Sequence, residues 1–192
     1  MVRVTAADNL AVMRTCPAAD GARGGQGALM DIYLMQHGAA TSSEEDPARP
    51  LTPSGRKAVN QVAARAARCG VRAGRCVHSG KLRAEQTARI IGEALGARVE
   101  SLSGLNPSDP VRPIADLLNA ESGSASGGGI VLVGHLPFLD RLTSVLIVGQ
   151  QEAHPIRFQN AGLVKLVPKD DASGFAVSWI LTPDLAADSV VG

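Results

Sequence analysis

The 192-residue chain predicts an α/β fold, a three-layer α/β/α sandwich around a mostly parallel sheet. Three observations predict it. Residues 31–36 and 130–133 are apolar runs with little alternation, the pattern of strands buried on both faces. Segments of helical period alternate with strand-like runs along the chain. Gly or Pro then marks the junctions, with Pro53 and Pro137 at helix starts and Gly70 and Gly96 at helix stops.

Taken in order, residues 1–29 are rich in Ala, Gly and Arg, show no period, and end in Gly24-Gly25-Gln26-Gly27; a flexible N-terminal extension is expected. Met30 opens the domain, read as residues 30–183, with a C-terminal tail over 184–192. His37-Gly38 ends the first strand. Thr52 is suited to cap a helix that Pro53 opens. Val59, Val62, Ala63 and Ala66 form one apolar helical face, which Gly70 stops. Cys76-Val77-His78 is a short strand candidate, and Ala84, Ala88, Ile91 and Leu95 form a second helical stripe ended by Gly96. A third, shorter helix is predicted over 111–118, followed by a Ser/Gly loop over 122–129. The buried strand 130–133 ends at Gly134-His135, and Pro137 opens an apolar helix through Val148. Residues 162–167 and 175–181 pattern as a hairpin.

Composition excludes several classes of function. With 19 Lys+Arg against 18 Asp+Glu the net charge is +1, and aromatic residues are 3%. A nucleic-acid partner is not expected, since surplus cations and stacking platforms are both missing. No membrane is expected either, because the apolar stretches are far too short to span one. Asp8, Arg14 and Asp20 break up the N-terminus as a signal peptide. Cys16, Cys69 and Cys76 are odd in number and form no C-x-x-C pair. That argues against a disulfide scaffold and a zinc finger, and suits a cytoplasmic protein. Cys69 and Cys76 read as small core or surface residues.

Ligands of open α/β sheets sit at the carboxyl ends of strands. His37 and His135 each stand at such an end, at topologically equivalent positions. Arg83 falls in the first turn of the helix that follows the strand ending near Ser79. Alone, each is ordinarily a solvated or satisfied side chain. Together they place two imidazoles and a guanidinium at one edge. His78 and His154 lack partners at metal spacing, and His78 reads as a packed strand residue.

The segments Leu34-Met35-Gln36-His37-Gly38, Arg49-Pro50-Leu51-Thr52, Ser79 through Ala88, and Val133-Gly134-His135-Leu136-Pro137 together resemble the histidine phosphatase superfamily, which is phosphoglycerate mutase-like in fold. Within it they are most similar to the small SixA-type phosphohistidine phosphatases. The resemblance runs over about residues 30–183, with the motifs in the family's order. It implies that His37 is the nucleophile, that His135 is the second pocket histidine, and that Arg83 is the arginine following the second motif's serine. Gln36, Gly38 and Arg49 are then candidate phosphate-binding residues. It implies no metal and no cofactor. The partner is a phosphohistidine-bearing protein, such as a phosphotransfer domain, or a small phosphorylated substrate. The activity implied is phosphatase action through a covalent phosphohistidine.

The chemistry suits these residue types. Phosphoryl transfer needs an in-line nucleophile and positive charge on three equatorial oxygens. Neutral imidazole is the former, and an adjacent Arg holds it neutral while forking onto phosphate.

Two departures bear on function. Gln36 stands where the family carries arginine, and an oxyanion donor of that kind is worth about 2.7–4 kcal/mol in a transition state. This opens a second expectation, a non-catalytic phosphate- or phosphoprotein-binding module. The general acid also lacks a signature. Asp109 is one candidate, with Glu44 and Glu45 as others, and a third expectation is a phosphatase of small phosphate esters using Asp109. A phosphoramidate needs no such acid when its imidazole leaves protonated and neutral.

Overall fold

A computed structural model describes residues 30–122, 128–171 and 173–187. The extension over 1–29, most of the Ser/Gly loop and the end of the tail lie outside the described residues. Along the chain run β1 (Ile32–Gln36), α1 (Pro53–Arg68), β2 (Ala73–His78), α2 (Leu82–Leu95), β3 (Arg98–Ser101), α3 (Arg112–Ser122), β4 (Gly129–Gly134), α4 (Phe138–Val148), β5 (Leu163–Pro168), β6 (Phe175–Leu181) and α5 (Pro183–Ala186).

The strands form one mixed sheet in the order β3-β2-β4-β1-β5-β6. The first four are mutually parallel, β5 runs antiparallel to β1, and β6 runs antiparallel to β5. Because β1 and β4 are central, both of their faces are covered, which explains their unbroken apolar runs. On one face Tyr33, Met35, Val131 and Val133 pack with the α1 stripe Val59, Val62, Ala63 and Ala66 and with Ala84, Ala88, Ile91 and Leu95 of α2. On the other, Ile32, Leu34, Ile130 and Leu132 pack with Ile114 and Leu118 of α3 and with Phe138, Leu139 and Leu142 of α4. The three-layer α/β/α architecture follows from these two cores.

Helix α1 begins as the sequence predicts: Thr52 Oγ1 accepts the Gly55 N–H at 3.0 Å and Pro53 is the first helical residue. Helix α2 ends on Gly96 in the left-handed conformation, with φ 73°. Two elements are additions to the sequence reading. Strand β3 is a short edge strand in which Arg98 and Ser101 are exposed. Helix α5 begins at residue 183, capped by Thr182, and Ala186 enters the core at 3% exposure. The fold therefore continues into the segment read as tail. Cys76 is free and fully buried, and burial pushes its thiol up to about 12. Cys69, which caps α1, is disulfide-bonded, where the sequence read only a small core or surface residue.

The connections create the crevice. After β1 the chain leaves toward the α1 face, and after the neighbouring β4 it leaves toward the opposite, α4 face. Such a divergence opens a cleft beyond the carboxyl ends of the two strands.

Candidate active site

Strand register brings the two histidines together. Gln36 of β1 pairs with Gly134 of β4, so the next residues, His37 and His135, emerge side by side. The His37 N–H donates to the Gly134 carbonyl at 3.2 Å, and the two ring centroids lie 4.9 Å apart. On the other flank of β4, His78 of β2 pairs with Val133. Ser79 is thereby carried to the same edge, and α2 starts three residues later with Arg83 in its first turn.

The hydrogen bonds define the state of each ring. His37 Nδ1–H donates to the Gly38 carbonyl at 2.7 Å. A carbonyl only accepts, so the lone pair of the neutral ring sits on Nε2. That lone pair receives the Nε–H of Arg83 at 3.2 Å. The contact sets a neutral imidazole lone pair and a guanidinium at one point. His135 is 2% exposed. Its Nε2 lies 2.6 Å from Ser79 Oγ, and its Nδ1 is buried without a hydrogen-bond partner among the described residues. When the Ser79 hydroxyl donates to Nε2, Nδ1 carries the hydrogen and is an unspent buried donor.

Burial and nearby cations both disfavour the charged form of the two rings. Burial lowers the His37 pKa, as do the charges of Arg83 and Arg49, against the opposing effect of the Gly38 hydrogen bond. His135 is driven down to about 3, by burial first and then by His37, Arg83, Lys81 and Arg49. Burial and the Arg49 charge also lower Arg83.

The loop between β1 and α1 is held tightly. A Cβ on Gly38 would lie 2.8 Å from Val59 Cγ2 and 3.0 Å from the Gly55 carbonyl, and one on Gly55 would overlap the Ala39 carbonyl. The start of α1 and the loop after His37 thus pack backbone to backbone, which only glycine at both places permits. Farther along, an Ala40–Leu51 bridge closes the loop. Arg49, at φ 51°, is turned back by it, with Nε donating to the Thr41 carbonyl at 3.2 Å.

Several contacts have little or no trace in the sequence. Thr87, fully buried, accepts the Gly38 N–H at 3.1 Å and donates to the Arg83 carbonyl at 2.8 Å. It ties the loop after His37 to the helix that carries Arg83, and its one signal is its place four residues after Arg83 on one helical face. Gln86 accepts the Leu51 N–H at 2.7 Å. Gln36 donates to Asn160 at 2.5 Å, a partner with no sequence signal.

The acid candidates are engaged locally. The Asp109 carboxylate accepts the Asn106 N–H of its own turn at 2.8 Å, and Arg141 of α4 grips that loop through the Pro107 and Asp109 carbonyls. Glu45 accepts from Ser42, and Glu44 is exposed. His78 is buried, its Nδ1 accepting the Gly80 N–H. His154 lies against Asp140. Among the described residues no three His, Cys, Asp or Glu side chains are grouped to hold a metal ion.

Comparison with known proteins supplies relatives for this arrangement. Residues 32–109 match the histidine phosphatase superfamily (branch 1). An uncharacterized protein of Picosynechococcus is 32% identical over 141 residues, 71% of this chain and 84% of that protein. The phosphohistidine phosphatase SixA of Escherichia coli is 29% identical over 159 residues, 80% of this chain and 94% of SixA. Among solved structures, protein histidine phosphatase SixA complexed with tungstate superposes with a TM-score of 0.70 at 25% identity, over 81% of this chain and 98% of that one. A phosphoserine phosphatase from Entamoeba histolytica in complex with 3-phosphoglyceric acid gives 0.62 at 14% identity, over 83% and 100%, a likeness of fold.

Proposed function

The chain belongs to the histidine phosphatase superfamily, and from that premise we propose that it removes phosphate from phosphohistidine carried on a protein, through a phosphoenzyme at His37. The observation that carries the reading is the His37 Nε2–Arg83 contact beside the unspent Nδ1 of His135. Similarity to the phosphohistidine phosphatase SixA supports the substrate class.

In the first step the His37 Nε2 lone pair attacks phosphorus, and the bond from phosphorus to the substrate imidazole breaks. The departing ring, protonated beforehand on its other nitrogen, leaves neutral. Arg83 and the His135 N–H take up charge on the phosphoryl oxygens. In the second step water attacks phosphorus and the P–Nε2 bond breaks. Inorganic phosphate is released, the water's spare proton goes to solvent or to phosphate, and His37 returns to its neutral form. A leaving imidazole needs no carboxylic acid, which accords with Asp109 being spent on its own turn.

The test is phosphate release from a phosphohistidine protein and from a panel of small esters. Selective turnover of the protein, abolished in His37→Ala, is expected; full activity in that variant would discard the proposal. One observation favours a second reading. The neutral Gln36 at the phosphate edge suits a phosphoprotein-binding module, and calorimetric binding without turnover of any substrate would establish it. Ester hydrolysis lost in Asp109→Asn would instead assign the Asp109 acid.

A further inference from the structure

Gln36 ends β1 beside the nucleophile, and its carboxamide is half satisfied. Nε2 donates to Asn160 Oδ1 at 2.5 Å, while Oε1 is buried without a hydrogen-bond partner among the described residues. The turn bearing Asn160 is fixed to the same peptide. The Ala161 N–H donates to the Gln36 carbonyl at 3.0 Å and to that of His37 at 3.3 Å. Ala161 is fully buried and holds a left-handed φ of 62°, a conformation a non-glycine residue keeps only where its surroundings enforce it. Asn160 is therefore held at the rim by the backbone of the nucleophile itself.

A carboxamide presents an acceptor on one side and donors on the other, and a half-turn of its last torsion exchanges them. Asn160 can answer either setting, because it too offers both. In the observed setting a buried acceptor is stranded, which is unfavourable. In the reversed setting Nε2 occupies that place as a donor, which is useful when an acceptor arrives there. Phosphoryl oxygens are acceptors.

We propose that Asn160 is a positioning residue, and that the Gln36 and Asn160 amides form an anion-responsive clasp. A bound phosphoryl group draws the Gln36 carboxamide over, and Asn160 changes from acceptor to donor to hold it. This is how an uncharged side chain serves at a position where the family carries arginine. The inference rests on the reading of the His37 pocket as a phosphoryl site, but not on turnover.

Orthovanadate binding by calorimetry tests it, in a cycle of Gln36→Arg and Asn160→Ala. A hydrogen bond of this kind corresponds to a change of up to roughly tenfold. Asn160→Ala should weaken vanadate binding severalfold in the Gln36 protein. In the Gln36→Arg background, where the guanidinium needs no amide partner, it should weaken binding by less than about twofold. Asn160→Asp, which can only accept, should weaken binding more than Asn160→Ala. Equal losses from Asn160→Ala in both backgrounds would mean the turn is merely structural, and unchanged binding in all variants would equally overturn the clasp. Melting curves confirm that each variant is folded. Loss of the proposed function would show separately, as phosphohistidine hydrolysis surviving in His37→Ala.

Discussion

His37 and His135 leave adjacent parallel strands at the same level, yet the fold treats them differently. His37 is half-buried, with one nitrogen tied to its own neighbour's carbonyl and the other presented to Arg83. His135 is sealed at 2% exposure, with Ser79 on one nitrogen and no partner among the described residues on the other. The difference lies in the connection after each strand. After β1 a loop runs over the start of α1 and leaves its histidine at the cleft. After β4 the chain turns into α4 within three residues and traps its histidine beneath. Equivalent positions in a sheet thus yield one half-buried imidazole at the cleft and one buried imidazole, and the connections after the two strands set them apart.

If the proposed function holds, the comparison is broken most severely at His37. His37→Ala should reduce turnover on the order of 10⁴-fold or more, since no remaining group can carry the phosphoryl. His135→Asn keeps a donor near the cleft and should lose about 10²–10³. Acid-quenched labelling separates the two: His135→Asn should still form a phosphoenzyme, and His37→Ala should form none. Label retained in His37→Ala would reverse the assignment. Arg83→Lys, which keeps charge but loses the planar fork aimed at Nε2, should cost about a hundredfold, read as a fall in kcat with binding of vanadate weakened in parallel.

The sealed histidine also leaves a mark on stability. The unfolded chain takes up a proton on residue 135 as pH falls through about 6.5, whereas the folded chain refuses it until about 3. The folded state is thus penalised progressively between those values, with a slope of up to about 1.4 kcal/mol per pH unit. Denaturant unfolding across that window should show the slope, and His135→Asn should flatten it. The lowered pKa of His37 acts on rate in the same direction. Its neutral fraction persists below the usual imidazole value, so the acid limb of kcat/KM should fall below about pH 6.5. A limb at or above that value would mean the ring is not relieved of its proton by Arg83 and burial.

Legibility in the sequence divides along the same line, between regular strand ends and the loops beyond them. His37, His135 and Arg83 were legible because regular strands end where hydrophobic runs end, and parallel sheets align those ends. Thr52 and Pro53 were legible because helix caps are local chemistry. Strand β3 was not, because Arg98 and Ser101 face solvent at a sheet edge, where charge discourages further pairing and erases the apolar pattern. Helix α5 was hidden in four residues that dock by one alanine. Asn160 was hidden because its link to Gln36 spans 124 residues and is made by loop geometry that no periodicity records. The left-handed Arg49 and Ala161 escaped for a related reason. Their conformations are enforced by partners elsewhere in the chain and have no glycine to announce them.

The smallest expected effect is the sharpest probe of the buried half of the pair. Ser79 Oγ can act on His135 Nε2 as donor or acceptor, and the choice decides whether Nδ1 bears a hydrogen. In the free protein both choices are open to a neutral ring. Under the proposed function, a bound phosphoryl group would select the one in which serine donates and Nδ1 does too. Ser79→Ala removes the partner and frees the tautomer, so the donor is present only part of the time. A loss of about tenfold in kcat with little change in KM is expected. Nitrogen NMR of the imidazole should show a mixed tautomer in Ser79→Ala and, with vanadate bound, a single Nδ1–H form in the unaltered protein. An Nε2–H form in that complex would mean that His135 meets the phosphoryl group by its other nitrogen, with Ser79 as the acceptor.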